Sequence, residues 1–436
     1  MKYYLILMAV FFSFNAQSQE YILDSIMPIY GDIIHPEANE LIGAEDSPTF
    51  SNFFAKLDSI YEGKREKLHI FHIGGSHIQA DIYSNKLRTY FQNMNEVSMG
   101  QRGFVFPFRL ANTNNPSNYR IEGTKGKWEG YRNSVLKDSI EWGLSGITAA
   151  FRNRSDTISI HANHRNYTLK PYAFDKLRIF HNTWKDDYRL NILDSTLVAS
   201  DTLNYQGMYK EYRLTKPVES LEMAIQIKDT LTADPEFLMM GMEFLNDHSG
   251  IEYTSIGVNG ASFKSYQRSV FFENQLRLYK PDLFIISIGT NDAYVPKSEF
   301  KSEEFRANYE AFIQMVQRVN PDCAILLTVP NDDYYKRRHP NPNTVVQQQI
   351  ILDLGKEYRM AVWDFYAVMG GLGSSNKWYK NKLMPRDRIH FTQLGYSIKA
   401  DLLLKALVDA WAICNNRDPE ILLGHFKTLD KSNNWE

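Results

Sequence analysis

Apolar and polar residues alternate in two different rhythms along this chain, and the change of rhythm divides it. Four short, largely apolar runs stand out in the outer parts: Leu68–Ile73, Leu283–Ile288, Ala324–Val329 and Met360–Trp363. The first ends at Gly74-Gly75-Ser76, the second at Gly289 and the third at Pro330. Runs of this kind suit strands of a parallel sheet buried on both faces. Between them the apolar residues take helical spacing. Phe305, Tyr309, Phe312, Val316 and Val319 recur every three or four residues, with Ser302 placed as an N-cap and Glu303 and Glu304 in the first turn. A last long helix is expected from about Thr392 to Ile413, with Leu394, Ile398 and Leu402 on one face. Strand and helix in alternation predict an α/β layered fold.

From about Arg109 to Asp247 the helical period disappears. Short alternating runs replace it at Thr157–Ile160, Lys176–Phe180, Tyr188–Leu193 and Met223–Ile227, separated by polar or Gly/Asn/Asp-rich turns. This is the pattern of an all-β sandwich. The expected organisation is therefore an α/β unit made of residues 19–110 and 250–436, interrupted by a β unit over 111–249. No internal repeat or low-complexity tract is apparent.

Composition narrows the class. The chain has 436 residues, 43% hydrophobic and 23% charged, with a formal net charge of −2. Those values exclude a disordered chain and a strongly basic nucleic-acid binder. The first eighteen residues combine Lys2, an apolar run from Tyr3 to Phe14, and Ala16-Gln17-Ser18 as a small-x-small site. That describes an export signal with cleavage near Ser18, giving a periplasmic or secreted protein. No later run is apolar for long enough to predict a transmembrane helix. The two cysteines, Cys323 and Cys414, sit in apolar contexts and read as buried thiols in preference to a bridge.

Three polar blocks fall at strand ends or helix starts, where open α/β sheets place their sites. In Gly74-Gly75-Ser76-His77 a strand breaks and presents Ser76 as a helix begins. In Ile288-Gly289-Thr290-Asn291-Asp292 the Asn291 amide can donate to a developing oxyanion. In Asp387-Arg388-Ile389-His390 the acid, three residues before the histidine, can orient the ring through Nδ1, leaving Nε2 to take a serine proton. Taken alone, each block reads more readily as an N-cap on a Gly turn, a polar turn or a loop salt bridge. Together they supply nucleophile, oxyanion donor and acid–base pair. No Gly-x-Ser-x-Gly occurs, which disfavours a nucleophile-elbow hydrolase.

These blocks resemble those of the SGNH (GDSL-type) hydrolase superfamily of esterases. Gly74-Gly75-Ser76 resembles its block I, Gly289-Thr290-Asn291-Asp292 its block III and Asp387 to His390 its block V; Gly260 in Ile256–Ser262 best matches the block II glycine. The resemblance implies a three-layer, flavodoxin-like parallel sheet. It also implies a catalytic triad of Ser76, Asp387 and His390, and an oxyanion hole of the Ser76 and Gly260 N–H groups and the Asn291 side chain. One residue departs from the pattern: Gly75 stands where the family usually has Asp. The long β stretch between blocks I and II, with Ser76–Asp81 and Gln101–Phe104, further resembles exported peptidoglycan O-acetylesterases that carry an inserted carbohydrate-binding-module-like β domain. The implied activity is removal of O-acetyl groups from a cell-wall glycan, peptidoglycan foremost, without metal or organic cofactor. An esterase on another acetylated polysaccharide such as xylan, an O-acetyltransferase and a non-catalytic glycan-binding protein stay open as alternatives.

Other residues carry weaker expectations. His77, Asn259, Tyr334 and Arg337 are candidate substrate contacts, the last two in the basic stretch Tyr334–His339, which suits an anionic glycan. His161 and His164 would point to opposite faces of a strand, so no metal site is expected there. Trp128, Trp142 and Trp184 read as core rings before they read as a sugar platform. With an unperturbed histidine as base, activity should fall below about pH 6.5. The sequence leaves the oligomeric state undetermined.

Overall fold

In a computed structural model that describes residues 26–124, 127–164 and 171–432, the outer parts of the chain form one six-stranded sheet. The expected export signal, residues 1–18, lies outside the described residues. In spatial order the strands are Leu41–Ile42, Ala361–Trp363, Ala324–Thr328, Leu283–Ser287, Lys67–Gly74 and Gly250–Gly257. All neighbours run parallel except the short edge strand Leu41–Ile42, which pairs antiparallel with Ala361–Trp363. Numbered along the chain, the five parallel strands lie in the flavodoxin-like order 2-1-3-4-5. The direction of winding reverses between Lys67–Gly74 and Leu283–Ser287, and ligands of such sheets bind at the carboxyl ends of the strands at that switch.

Alternation along each strand splits the core into two layers. Phe71, Ile73, Phe284 and Ile286 face one side, with Phe305, Tyr309 and Phe312 of the helix Ser302–Val319. Leu68, Ile70, Leu283 and Ile285 face the other, with Phe50 and Phe54 of Pro48–Tyr61, Leu87 of Tyr83–Gln92 and Leu402 of Gln393–Asn415. Burial of each Phe, Leu or Ile is worth about 1.5–3 kcal/mol. Helix starts differ from expectation by about a residue. Ser302 is the first helical residue with Lys301 as its cap, and Thr392 caps the last long helix by accepting from the Gly395 N–H at 3.2 Å.

The middle of the chain forms two antiparallel sheets. The larger contains Gly103–Val105, Trp128–Arg132, Ile147–Phe151, Phe174–His181, Val198–Asn204, Tyr209–Val218 and Phe237–Leu245. The smaller contains Arg120–Gly123, Ser155–His161, Tyr188–Ile192 and Ser220–Ile227. All four short alternating runs fall on these strands. The β sheets begin at Gly103, ahead of the expected boundary at 111, because Gly103–Val105 pairs with Phe237–Leu245. That last strand is buried along its whole length, as a strand covered on both faces must be. One apolar cluster runs without a break from Phe71 and Phe284 through Phe104 and Phe180 into the sandwich. The insertion therefore shares its core with the parallel sheet.

Trp128 and Trp142 are buried, as core rings. Trp184 is not: it is 51% exposed, its ring 5.4 Å from that of Phe271. Both cysteines are free; Cys323 is buried and Cys414 half-buried. No helix of the described residues is long and apolar enough to cross a membrane. Among those residues no group of His, Cys, Asp and Glu is arranged to hold a metal ion.

Candidate active site

Ser76 opens a one-turn helix, Ser76–Gln79, directly after the strand Lys67–Gly74. As the first helical residue it has a backbone N–H with no intrahelical acceptor. The strand end is crowded from the neighbouring strand: a Cβ on Gly257 would lie 2.1 Å from the Gln79 nitrogen and 2.6 Å from the Gly75 oxygen. Only glycine permits that approach. The Tyr266 hydroxyl, beyond the Gly260 turn, donates to the Gly74 carbonyl at 2.7 Å and fixes the strand end from the other side.

The Ser76 Oγ lies 2.8 Å from His390 Nε2, and His390 Nδ1 lies 2.8 Å from Asp387 Oδ2. The second Asp387 oxygen accepts from the N–H groups of Ile389 at 2.9 Å and His390 at 3.1 Å. One carboxylate thus shapes the loop and orients the ring. Burial raises its proton affinity, but the His390 hydrogen bond, the two N–H groups and the imidazole charge outweigh burial and hold Asp387 well below the ordinary carboxylate range. It stays ionised and accepts the Nδ1–H, the tautomer that leaves Nε2 to accept from Ser76. Asn331 Nδ2 donates to the Ile389 carbonyl at 3.1 Å and pins the loop to the end of the neighbouring strand. The triad is open to solvent, with His390 39% and Asp387 22% exposed in their side chains.

Asn291 follows Leu283–Ser287 and comes to the same place. Its Nδ2 donates one hydrogen to the Ala261 carbonyl at 2.9 Å, leaving a second to donate elsewhere. The turn Val258–Ala261 closes through the Ala261 N–H to the Val258 carbonyl at 3.0 Å, with Gly260 at φ +81°, a conformation that favours glycine. Gly75 is the point where these parts converge. A Cβ there would lie 3.3 Å from Asn291 Nδ2, 3.7 Å from the Ala261 oxygen and 3.8 Å from the Val258 oxygen. A side chain at this position, the family's aspartate included, would press the Asn291 amide back by a few tenths of an ångström and touch the two carbonyls at ordinary contact distance.

The remaining candidates occupy distinct places. His77 is 7% exposed and lies behind His390, ring centroids 5.3 Å apart, with Nδ1 at 2.9 Å from the Tyr396 hydroxyl. Burial, then the charges of Lys399 and His390, push its imidazole well below the usual histidine value, so it is neutral. It packs inward, away from any substrate. Asn259 lies in the Gly260 turn. Tyr334 and Arg337 belong to a small hairpin, Tyr334–Tyr335 with His339–Pro340. Arg388 lies over the Tyr334 ring at 4.2 Å and donates to the Arg337 carbonyl at 3.1 Å. The hairpin thus borders the Asp387–His390 loop, with Tyr334 as a support under Arg388 and the Arg337 side chain exposed.

Four supporting residues have no expected role in the sequence. Gln79 accepts from the Asn259 N–H at 2.7 Å, and the Ser134 hydroxyl donates to the Asn259 carbonyl at 2.7 Å. Asp292 accepts from the Phe263 N–H at 3.2 Å, and burial pushes its carboxyl up to about 7. Lys399 lies within 6.0 Å of four rings, nearest Phe365 at 4.3 Å, and burial brings its ammonium down to about 7. Gln79 falls inside the Ser76–Asp81 segment and Asp292 inside the Gly289–Asp292 block, so both positions carried a signal; Ser134 and Lys399 carried none.

Residues 238–398 match the GDSL-like Lipase/Acylhydrolase family. The match contains Gly260, Asn291, Asp387 and His390; Ser76 lies upstream, separated by the β insertion. The fold is similar to that of a peptidoglycan O-acetylesterase, with 20% identity, a TM-score of 0.67, and 85% of this chain and 97% of that chain covered. An acetyl xylan esterase (20% identity, TM-score 0.29) covers 37% of this chain and 81% of its own. A GDSL-like lipase from Bacteroides thetaiotaomicron (18% identity, TM-score 0.27) covers 35% and 74%. No curated protein matches the sequence. Over residues 238–398 the chain is thus similar in sequence to the GDSL-like lipase/acylhydrolase (SGNH) family, and over 85% of its length it is similar in fold to a peptidoglycan O-acetylesterase. The α/β unit so matched carries the inserted β unit between Ser76 and Gly260.

Proposed function

We propose that this protein is an exported serine esterase that removes O-acetyl groups from a cell-wall glycan, peptidoglycan foremost. The observation that carries the esterase reading is the Ser76–His390–Asp387 chain, with 2.8 Å at both links. His390 takes the Ser76 proton as Oγ attacks the acetyl carbonyl. The Ser76 and Gly260 N–H groups and the Asn291 amide receive the oxyanion. The tetrahedral intermediate collapses as His390 protonates the departing sugar oxygen. Water, deprotonated by His390, then attacks the acetyl-enzyme, and acetate leaves as Ser76 regains its proton.

Three features support a polymeric, acetylated glycan. The triad is exposed at the surface, where a chain can lie across it. Lys336, Arg337 and Arg338 are exposed beside it and raise the local concentration of an anionic polymer. The fold is similar to that of a peptidoglycan O-acetylesterase over 85% of this chain and 97% of that one. Acetate release from O-acetylated peptidoglycan, compared between the parent and Ser76→Ala, tests the reading. Release by the parent alone is expected. Release from acetylated xylan but not from peptidoglycan would replace the substrate, and delivery of acetyl to an added alcohol in preference to water would make the protein a transferase.

A further inference from the structure

The turn that carries the Gly260 N–H is gripped at both backbone groups of the residue before it. The Asn259 N–H donates to Gln79 Oε1 at 2.7 Å, and the Asn259 carbonyl accepts from Ser134 Oγ at 2.7 Å. Neither grip is local: Gln79 is 180 residues and Ser134 125 residues away along the chain. Gln79 is fixed by the insertion, and Ser134 is part of it. Gln79 is 1% exposed, and its Nε2 donates to Thr113 Oγ1 and to the Asn114 carbonyl, both at 3.1 Å. Ser134 lies in a loop held by Arg268, which donates to the carbonyls of Asn133 at 2.6 Å and Val135 at 3.0 Å and stacks on Trp142 at 4.7 Å. The atom nearest a Cβ on Gly260 would be Ser134 Oγ, at 3.6 Å.

We infer that the β insertion is a working part of the oxyanion hole, with Ser134 and Gln79 as positioning residues that fix the Asn259-Gly260 turn at the distance the Gly260 N–H needs. The inference rests on the esterase reading. An oxyanion donor acts only when its N–H is already aimed at the place where charge develops. The turn's own bond, from the Ala261 N–H to the Val258 carbonyl, and the Asn291 amide on the Ala261 carbonyl leave the Asn259 backbone unheld, and the insertion supplies that grip. The insertion then contributes to the chemical step as well as to any binding of polymer.

The test compares Ser134→Ala, Ser134→Thr and Gln79→Met with the full-length parent, using an aryl acetate too small to reach a remote glycan site. Loss of positioning lowers kcat by about 10- to 100-fold and leaves KM within about twofold. Ser134→Thr, which keeps the hydroxyl, recovers most of the rate. Amide hydrogen exchange of the peptide spanning Asn259 and Gly260 speeds up in Ser134→Ala and Gln79→Met. Unchanged kcat in folded variants, a change in KM alone, or unchanged exchange in that peptide would overturn the inference. A parent that hydrolyses nothing and resists active-site serine reagents would refute the esterase reading, while the exchange measurement still decides whether the grip exists. Should Gln79→Met fail to fold, Ser134→Ala, on a half-buried loop, decides alone.

Discussion

The two sides of this active site are built in opposite ways. On the acid–base side, Asp387 and His390 sit three residues apart in one loop, and a single carboxylate both folds the loop and orients the ring. On the oxyanion side, the proposed donors come from three separated stretches, around Ser76, Gly260 and Asn291. Gln79 and Ser134 hold the Asn259 backbone beside Gly260, and Asn291 holds the Ala261 carbonyl. A short local motif can carry an acid–base pair because its geometry follows from its own hydrogen bonds. The Gly260 turn closes on itself through a single bond, Ala261 N–H to the Val258 carbonyl, and takes the rest of its rigidity from what packs around it.

Substitutions sharpen that contrast in order of expected effect. Ser76→Ala removes the nucleophile and should lower kcat by at least about 10,000-fold, read as acetate release at saturating substrate. Asp387→Asn keeps an oxygen for the Ile389 and His390 N–H groups but no longer holds the ring's proton at Nδ1. A loss of about 1,000- to 10,000-fold is expected with the fold intact by circular dichroism. A loss smaller than that for the oxyanion side would reverse the ranking. Asn291→Ala removes one donor and should cost about 100- to 1,000-fold in kcat with little change in KM.

The smallest effect lies beneath the site and concerns stability alone. Burial lowers Lys399 to about 7 in the folded protein, against about 10.4 when unfolded. Between those values the unfolded chain binds more protons, so stability attributable to this group rises as pH increases from about 7 to about 10. Lys399→Met should flatten that rise in melting temperature and change kcat little. An unchanged pH dependence would mean that the four surrounding rings hold the charge well enough to offset its burial.

The same division decides what could be read from the sequence. The strands Leu283–Ser287 and Ala324–Thr328 announce themselves because burial on both faces leaves them almost wholly apolar, and Lys67–Gly74 does so despite His69 and His72. The strands of the insertion announce themselves by alternation. Leu41–Ile42 is too short to leave a pattern, and it is a strand only because Ala361–Trp363 offers it an edge. The triad was legible because Asp387, His390 and Ser76 are residue types that few other roles bring together at strand ends. Ser134 was not: a serine in a polar loop looks the same whether it faces water or grips a carbonyl. His77 shows the converse. It follows the nucleophile directly, yet the first helical turn points it inward onto Tyr396. Trp184, in a stretch that reads as core, is half exposed because it follows the last paired residues of its strand.

The central claim is that an acetyl group passes through Ser76. Acid-quenching the parent during turnover of an O-acetylated glycan and mapping its peptides by mass spectrometry tests that directly. The account predicts a single added acetyl group on the peptide containing Ser76, absent from Ser76→Ala and longer-lived in His390→Ala when that variant is loaded with an activated acetate. Acetate released with no adduct on Ser76, or with the adduct on another residue, would contradict it.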